Sequence, residues 1–123
     1  DLVVNWLEIS QAFQSLEMIS IDFREALLSY VDVAAHFHGL ENVLSAKRLK
    51  LSLDDKSVAI VLTTETLNML AELGQLEEIN IYISRLKKDV NDDLFAKAYQ
   101  ELLQTKLPNA KINVENITVY DLF

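Results

Sequence analysis

The sequence predicts an α+β fold, in which a long or kinked N-terminal helix is followed by a two-layer domain of strands and helices. Two observations predict it. Apolar and aromatic residues follow an alternating four-three spacing over the first 44 residues, and short strand-like and helix-like segments alternate from Lys47 onward. The first pattern is typical of one stripe of a helix. We therefore predict a helical segment over residues 1–44 and an α+β domain over residues 45–123.

The N-terminal stripe is interrupted only at Glu41 and, near its middle, at Ser20. The β-branched residues Ile19 and Ile21 flank Ser20 there, and the segment 22–25 has the capping-box pattern of an acid followed by Glu three residues later. Gly39 can adopt the left-handed conformation that ends a helix. We expect one kinked helix, or two helices that meet near residues 20–22, with this stripe: Leu2, Trp6, Ile9, Phe13, Leu16, Phe23, Leu27, Tyr30, Ala34, Phe37 and Leu44.

A β-hairpin is predicted to follow. Leu49, Leu51 and Leu53 alternate with polar residues, as in a strand with one wet face. The segment 54–57 has turn-forming residues, and the nearly continuous apolar run 58–62 is typical of a strand buried on both faces.

A helix, a strand, a second helix and a last strand complete the predicted domain. Thr64 or Thr66 can cap a helix with an apolar stripe over 67–76, and residues 79–84 alternate as a third strand. The second helix opens at 91–93 and ends before Pro108. In the last strand, Val114 and Ile117 are an odd number of residues apart and would face opposite sides of the sheet. A β-bulge or turn at 115–116 would bring both onto one face.

The predicted order from residue 47 is strand, strand, helix, strand, helix, strand. Two helices on one face of a four-stranded sheet give a ferredoxin-like architecture, here with the usual βαββαβ order circularly rearranged to ββαβαβ. No internal repeat is apparent in the sequence.

Composition argues against several classes of partner. The net charge of −8 repels phosphate, so no nucleic-acid partner is expected. Two small basic clusters, at 47–50 and 85–88, are interpreted as solvated strand edges that resist edge-to-edge pairing. No run of 18 apolar residues exists to span a membrane. Because the chain begins at Asp1, we expect a fragment of a longer protein, with any membrane anchor upstream.

The sequence offers no catalytic, cofactor-binding or metal-binding residues. There are no cysteines, and the histidines His36 and His38 would diverge by about 200° on a helix. The carboxylate pairs at 54–55 and 92–93 are explained by a turn and by helix capping. No nucleophile elbow or phosphate-binding glycine loop is present. We do not expect an enzyme.

The N-terminal helix is the predicted partner surface. Trp6, Ile9, Phe13 and Leu16 are large apolar groups of the kind that dominate binding at the centre of an interface. If the helix leaves the domain, they face a homodimer partner or a different protein. If it folds back, they belong to the core, and the sequence leaves both arrangements open.

A heptad-patterned helix that leads into a hairpin, helix and strand resembles the periplasmic parts of inner-membrane assembly-platform proteins of type IV pili and type II secretion. The resemblance covers residues 44–85, especially 48–53, 58–62, 67–76 and 79–83. In that family a cytoplasmic segment and one membrane helix precede the coiled coil. The resemblance implies a periplasmic or inner-membrane-associated scaffold without enzymatic activity, which dimerises through helix and sheet surfaces.

The functional prediction is therefore a protein–protein interaction or scaffold domain that oligomerises through its N-terminal helix. The first alternative is a small-ligand-binding regulatory or sensory domain, by analogy with open ferredoxin-like sheets. The second is a hydrolase or transferase that uses Asp and His residues, which the absence of a motif disfavours.

Overall fold

Four strands form a single sheet in which every neighbouring pair is parallel. The computed structural model describes residues 5–13, 15–25 and 30–118, with the backbone alone for 30–32. The strands are β1 (Met18–Asp22), β2 (Arg48–Asp54), β3 (Glu78–Arg85) and β4 (Lys111–Thr118). Their order across the sheet, β1-β2-β3-β4, is also their order along the chain.

Five helices are described, of which the first precedes β1 in sequence and the others lie between strands. They are α1 (Trp6–Ala12), α2 (Tyr30–Phe37), α3 (Val58–Val61), α4 (Thr64–Ala71) and α5 (Val90–Lys106), with one 3-10 turn at Leu40–Asn42. Parallel strands cannot be joined by a tight turn, so each connection carries a helical crossover. Because α2 contacts α3 and α4, and α4 contacts α5, these helices form one layer against the sheet.

The two faces of the sheet differ because the strand sequences alternate with a period of two. One face packs under the helices and is almost entirely apolar. Its inward side chains are Ile19 and Ile21 in β1, Leu49, Leu51 and Leu53 in β2, Ile79, Ile81 and Ile83 in β3, and Ile112 and Val114 in β4.

Equivalent positions recur at a nearly constant interval. Ile19 pairs with Leu49, Leu49 with Ile79, and Ile79 with Ile112, so successive partners lie 30, 30 and 33 residues apart. What recurs is the spacing of the strands and the apolar character of their inward positions, and not residue identity. The chain is built of strand–helix units stacked side by side, as in a solenoid.

The predicted long N-terminal helix and ferredoxin-like order are wrong. Helix α1 has seven residues, and the expected kink region is strand β1. Ile19, Ile21 and Phe23 recur every second residue, and all three side chains are buried. That strand period decides the local structure over the four-three spacing. Because β1 pairs with β2, a strand from segment 1–44 and a strand from segment 45–123 share one sheet.

The predicted hairpin is also wrong. The run 58–62 contains the short helix α3, with Val58, Val61 and Leu62 buried. A short buried apolar run has no periodicity that separates strand from helix. Asp54 turns the chain out of β2, since its Oδ1 accepts hydrogen bonds from the Ser57 N–H at 3.0 Å and the Ser57 hydroxyl at 3.0 Å.

Strand β4 has no bulge. Its pairing with β3 is continuous from Lys111 to Thr118, so Asn116 occupies an inward position and Ile117 an outward one. The parity change therefore marks a polar residue on the buried face. The predicted helix end at Gly39 is confirmed: α2 ends at Phe37, and Gly39 has φ +85°. Two helices are found where they are predicted, but α4 is capped by Thr63, not by Thr64 or Thr66, and ends at Ala71, and α5 begins at Val90 after the N-cap Asp89.

Candidate functional site: the open face of the sheet

The second face of the sheet has no helix packed on it in the part of the chain that the structure describes. We call this surface the open face, and its outward side chains are half-buried or exposed. They are Met18, Ser20 and Asp22 from β1, Arg48, Lys50, Ser52 and Asp54 from β2, Glu78, Asn80, Tyr82 and Ser84 from β3, and Lys111, Asn113, Glu115 and Ile117 from β4. Their polarity follows from the same alternation that buries their neighbours.

Tyr82 is the aromatic residue at the middle of this surface. The Nζ of Lys50 lies 5.5 Å from the centroid of the Tyr82 ring, a cation–π contact that holds the lysine over the sheet. A cleft of about 470 Å³ surrounds the pair, with Met18 and Ile117 among its lining residues. Aromatic and apolar side chains beside an ammonium group form a surface suited to a protein partner.

A second cleft of about 600 Å³ lies where the strands end. It is lined by Asp22, Arg24, Glu25, Asp54, Asp55, Lys56, Ser84 and Leu86. Arg24 and Ser84 line both clefts. The two clefts therefore adjoin at Arg24 and Ser84, and we call them together the trough.

Two carboxylates of the trough are held ionised by their neighbours. The Arg24 guanidinium donates hydrogen bonds to both oxygens of Asp22, at 3.0 and 2.9 Å, and these bonds lower the pKa of Asp22. Partial burial opposes ionisation of Asp54. Hydrogen bonds donated by the Glu25, Ser57 and Lys56 backbone and by the Ser57 hydroxyl outweigh that burial, so the pKa of Asp54 is also lowered.

Arg85 closes the opposite, helix-covered face at the same end of the sheet. Its side chain is 9% exposed and forms ion pairs with Asp55 at 3.0 Å and Asp92 at 3.5 Å. Its Nε donates to Asn116 Oδ1 at 3.1 Å. The interpretation of the 85–88 cluster as solvated is therefore wrong for Arg85, which joins β3, β4, α5 and the loop after β2.

The structure places the predicted partner residues around α1. Trp6 is buried, and its Nε1 donates to the His36 carbonyl oxygen at 2.6 Å. Ile9 and Leu16 are partly buried and pack against the core. Phe13 is 61% exposed. Trp6 therefore lies in the chain's own core, and Phe13 alone of the four presents most of its ring to solvent.

Two other titratable residues, His36 and Tyr99, are in contact with neighbours in the chain's own fold. The His36 ring contacts Phe23 edge-on, with centroids 5.3 Å apart. The Tyr99 hydroxyl donates to the Thr63 carbonyl oxygen at 3.1 Å, and burial raises the pKa of Tyr99. Within residues 5–13, 15–25 and 30–118, no three His, Asp or Glu side chains are grouped to hold a metal ion.

Sequence reasoning named neither Tyr82 nor the open face as a site. Polar residues stand at every outward position of β2 and β3, but those of β2 were interpreted as the wet face of a hairpin strand and those of β3 only as strand alternation. Recognising one common face required the parallel pairing.

No protein-family model, curated protein or solved structure matches this chain at a significant level. The resemblance to assembly-platform proteins of pili and secretion systems thus stays a prediction. Among the described helices, none is both long enough and apolar enough to cross a membrane.

Proposed function

We propose that this chain is a non-enzymatic protein-interaction module and that the open face receives its partner. The single observation that carries the proposal is a four-stranded sheet with one face packed under helices and the other presenting Tyr82, Lys50 and two adjoining clefts. A surface aromatic residue surrounded by adaptable polar groups is a typical centre of protein recognition.

The repeated unit supports this function. Residues three positions before Ile19, Leu49 and Ile79 are Leu16, Ala46 and Leu76, and each unit continues with an apolar residue two positions later. This apolar-x-x-apolar-x-apolar spacing resembles that of leucine-rich repeats, although the interval of 30 residues is longer than theirs and the fourth strand has Asn109 at the first apolar position. Stacked units of this kind create an extended surface that is suited to binding another macromolecule.

Strand order disfavours a cofactor-binding enzyme of the doubly wound type. In such enzymes the ligand occupies the crevice where strand order reverses. Here the order runs β1-β2-β3-β4 without reversal, so the sheet offers no such crevice. The carboxylates nearest the strand ends are also engaged, Asp22 with Arg24 and Asp55 with Arg85.

Site-specific photo-crosslinking tests the proposal. A benzophenone amino acid placed at Asn80, on the open face, should give one discrete adduct in extract of the source cells. The same group at the exposed Glu101 on α5 is the matched control. Excess unlabelled wild-type chain should suppress the Asn80 adduct, whereas excess Tyr82→Ala chain should not. Equal suppression by both chains would contradict a role for the open face.

We also propose that the chain oligomerises through Phe13 of the N-terminal segment, because this ring is exposed beside α1. Phe13→Glu should convert a dimer to a monomer in light scattering after size exclusion. Leu44→Glu, an equally polar change at another exposed apolar residue, is the control. A mass that is unchanged by Phe13→Glu would remove this contact.

A small polar ligand is the second candidate, favoured by the cleft at the strand ends. Its volume of about 600 Å³ lies in the usual range for ligand pockets. A metabolite that binds there should raise the thermal midpoint of the wild-type chain but not that of Lys56→Glu. If the screen yields no such metabolite, this candidate fails.

A further inference from the structure

Charge on the open face is graded along the strand direction. Because all four strands are parallel, their first outward residues form rows at one end of the face and their last outward residues form rows at the other. The first two rows contain Arg48, Lys50 and Lys111 against a single acid, Glu78. We call this the basic end.

The last two rows have the opposite sign. They contain Asp22, Asp54 and Glu115, and the nearby cation Arg24 is already paired with Asp22 at 2.9 Å. We call this the acidic end. The lowered pKa values of Asp22 and Asp54 keep both carboxylates charged at neutral pH. Tyr82 stands in the first row of the acidic end, between Ser52 of β2 and Glu115 of β4.

The basic end has charge to offer a partner, chiefly at Arg48, because the Lys50 ammonium lies over the Tyr82 ring and its charge contributes to the lowered pKa of Asp22. Among the described residues, neither Arg48 nor Lys50 has a carboxylate within 4.0 Å, and Lys111 meets Glu78 only at 4.0 Å. This excess of cations stands out in a chain whose net charge is −8. Fixed charges of opposite sign at the two ends of a face set the orientation of a bound partner more than its raw affinity.

We propose, resting on the function proposed above, that the partner on the open face is an extended protein segment with segregated charge. Its acidic end lies over Arg48 and Lys50, its basic end lies over Asp54 and Glu115, and an apolar side chain contacts Tyr82. The strand direction from the first row to the last spans about 20 Å, the length of roughly six extended residues.

The gradient also disfavours a uniformly charged partner. A nucleic acid carries phosphate along its whole length, and it would meet Asp22, Asp54 and Glu115 after leaving the basic end. A uniformly basic segment would meet Arg48 and Lys50. Only a segment whose charge changes sign along its length satisfies both ends of the face.

A random dodecapeptide library displayed on phage is the probe, panned against the full chain and three variants. Wild-type chain should select peptides with acids at one end, bases at the other and an apolar residue between. Lys50→Glu should lose the acidic enrichment and bind the wild-type-selected peptides about tenfold more weakly. Lys97→Glu, the same charge change at an exposed position on α5, should select as wild type does.

The third variant, Tyr82→Ala, separates this proposal from the function on which it rests. Peptides that require Tyr82 but show no charge segregation would overturn the graded-charge proposal and leave the open face as the binding surface. Peptides indifferent to both Tyr82→Ala and Lys50→Glu, or no selected peptides, would overturn both proposals.

Light scattering over a concentration series tests whether a second copy of the chain occupies the open face. A wild-type chain that dimerises and becomes monomeric with Lys50→Glu would place a second copy on the open face, and would overturn the proposal. A wild-type chain whose mass is unaffected by Lys50→Glu is the expected result.

Discussion

Strand β3 presents two contrasting surfaces within eight residues. Its inward side chains Ile79, Ile81 and Ile83 are fully buried, whereas its outward side chains Asn80, Tyr82 and Ser84 are half-buried on a polar face. The inward set accounts for the stability of the sheet. The outward set contributes little to the core, so its residues can change without loss of the fold. Under the proposed function, neighbouring residues on one strand therefore serve stability and partner binding separately.

The largest expected effect is on the buried face. Ile81→Ala should lower the free energy of unfolding by about 3 kcal/mol, because it removes a fully buried aliphatic group and leaves a cavity. Asn80→Ala, one residue away on the open face, should change it by less than about 0.5 kcal/mol. Urea denaturation measures both. Similar losses for the two variants would contradict the assignment of the faces.

The next largest effect concerns the polar end of the buried face. Arg85→Met should cost about 2–3 kcal/mol, because it leaves Asp92 and Asn116 without the guanidinium that pairs with them. Arg48→Met, on the open face, is the matched control and should be nearly neutral. If Arg85→Met were as neutral as its control, the ion-pair network would not stabilise the fold.

A smaller effect should appear in the pH dependence of stability. The pKa of Asp54 is lowered in the folded state from its ordinary value of 3.8. Its ionised form therefore adds stability above about pH 4, and that contribution is lost as pH falls from 3.8 through the folded pKa. Wild type should lose stability over this window more steeply than Asp54→Asn in urea titrations at several pH values.

Ser57→Ala is the intermediate case for that titration, since it removes the hydroxyl donor to Asp54 and keeps the backbone N–H donor. Its pH dependence should lie between those of wild type and Asp54→Asn. Identical slopes for all three chains would show that the hydrogen bonds to Asp54 do not stabilise its ionised form.

The smallest expected effect on stability belongs to the proposed anchor. Tyr82→Ala should change the free energy of unfolding by less than about 1 kcal/mol, because the ring is half-buried and contacts Lys50 rather than the core. Excess unlabelled Tyr82→Ala chain should also fail to suppress the adduct that forms at position 80. A large loss of stability would move Tyr82 from the recognition surface to the core.

Patterns local in sequence predicted local structure well. The strict alternation at 49–53 and at 79–83 is found as β2 and β3, and the stop at Gly39 and the helix before Pro108 are found as well. These features depend on side-chain periodicity and on the backbone preferences of glycine and proline, which a single segment carries within itself.

Where the structure of a segment depends on distant partners, its sequence pattern did not predict that structure. Val58–Val61 is apolar enough for a strand, and it becomes a helix because β2 pairs with β1 and β3 in parallel and needs a crossover. A bulge was predicted at 115–116, whereas Asn116 faces inward in a regular strand because Arg85, 31 positions away, donates a hydrogen bond to it there. The open face was missed for the same reason, since it is assembled from strands 30 residues apart.

Thiol labelling tests the central claim most directly, because the chain has no cysteine of its own. Single substitutions Lys50→Cys, Tyr82→Cys and Ile81→Cys would each be reacted with a maleimide under native conditions. The account predicts rapid labelling at positions 50 and 82 and slow labelling at 81. Slow labelling at both 50 and 82 would show that the open face is covered, and would contradict its role as a binding surface.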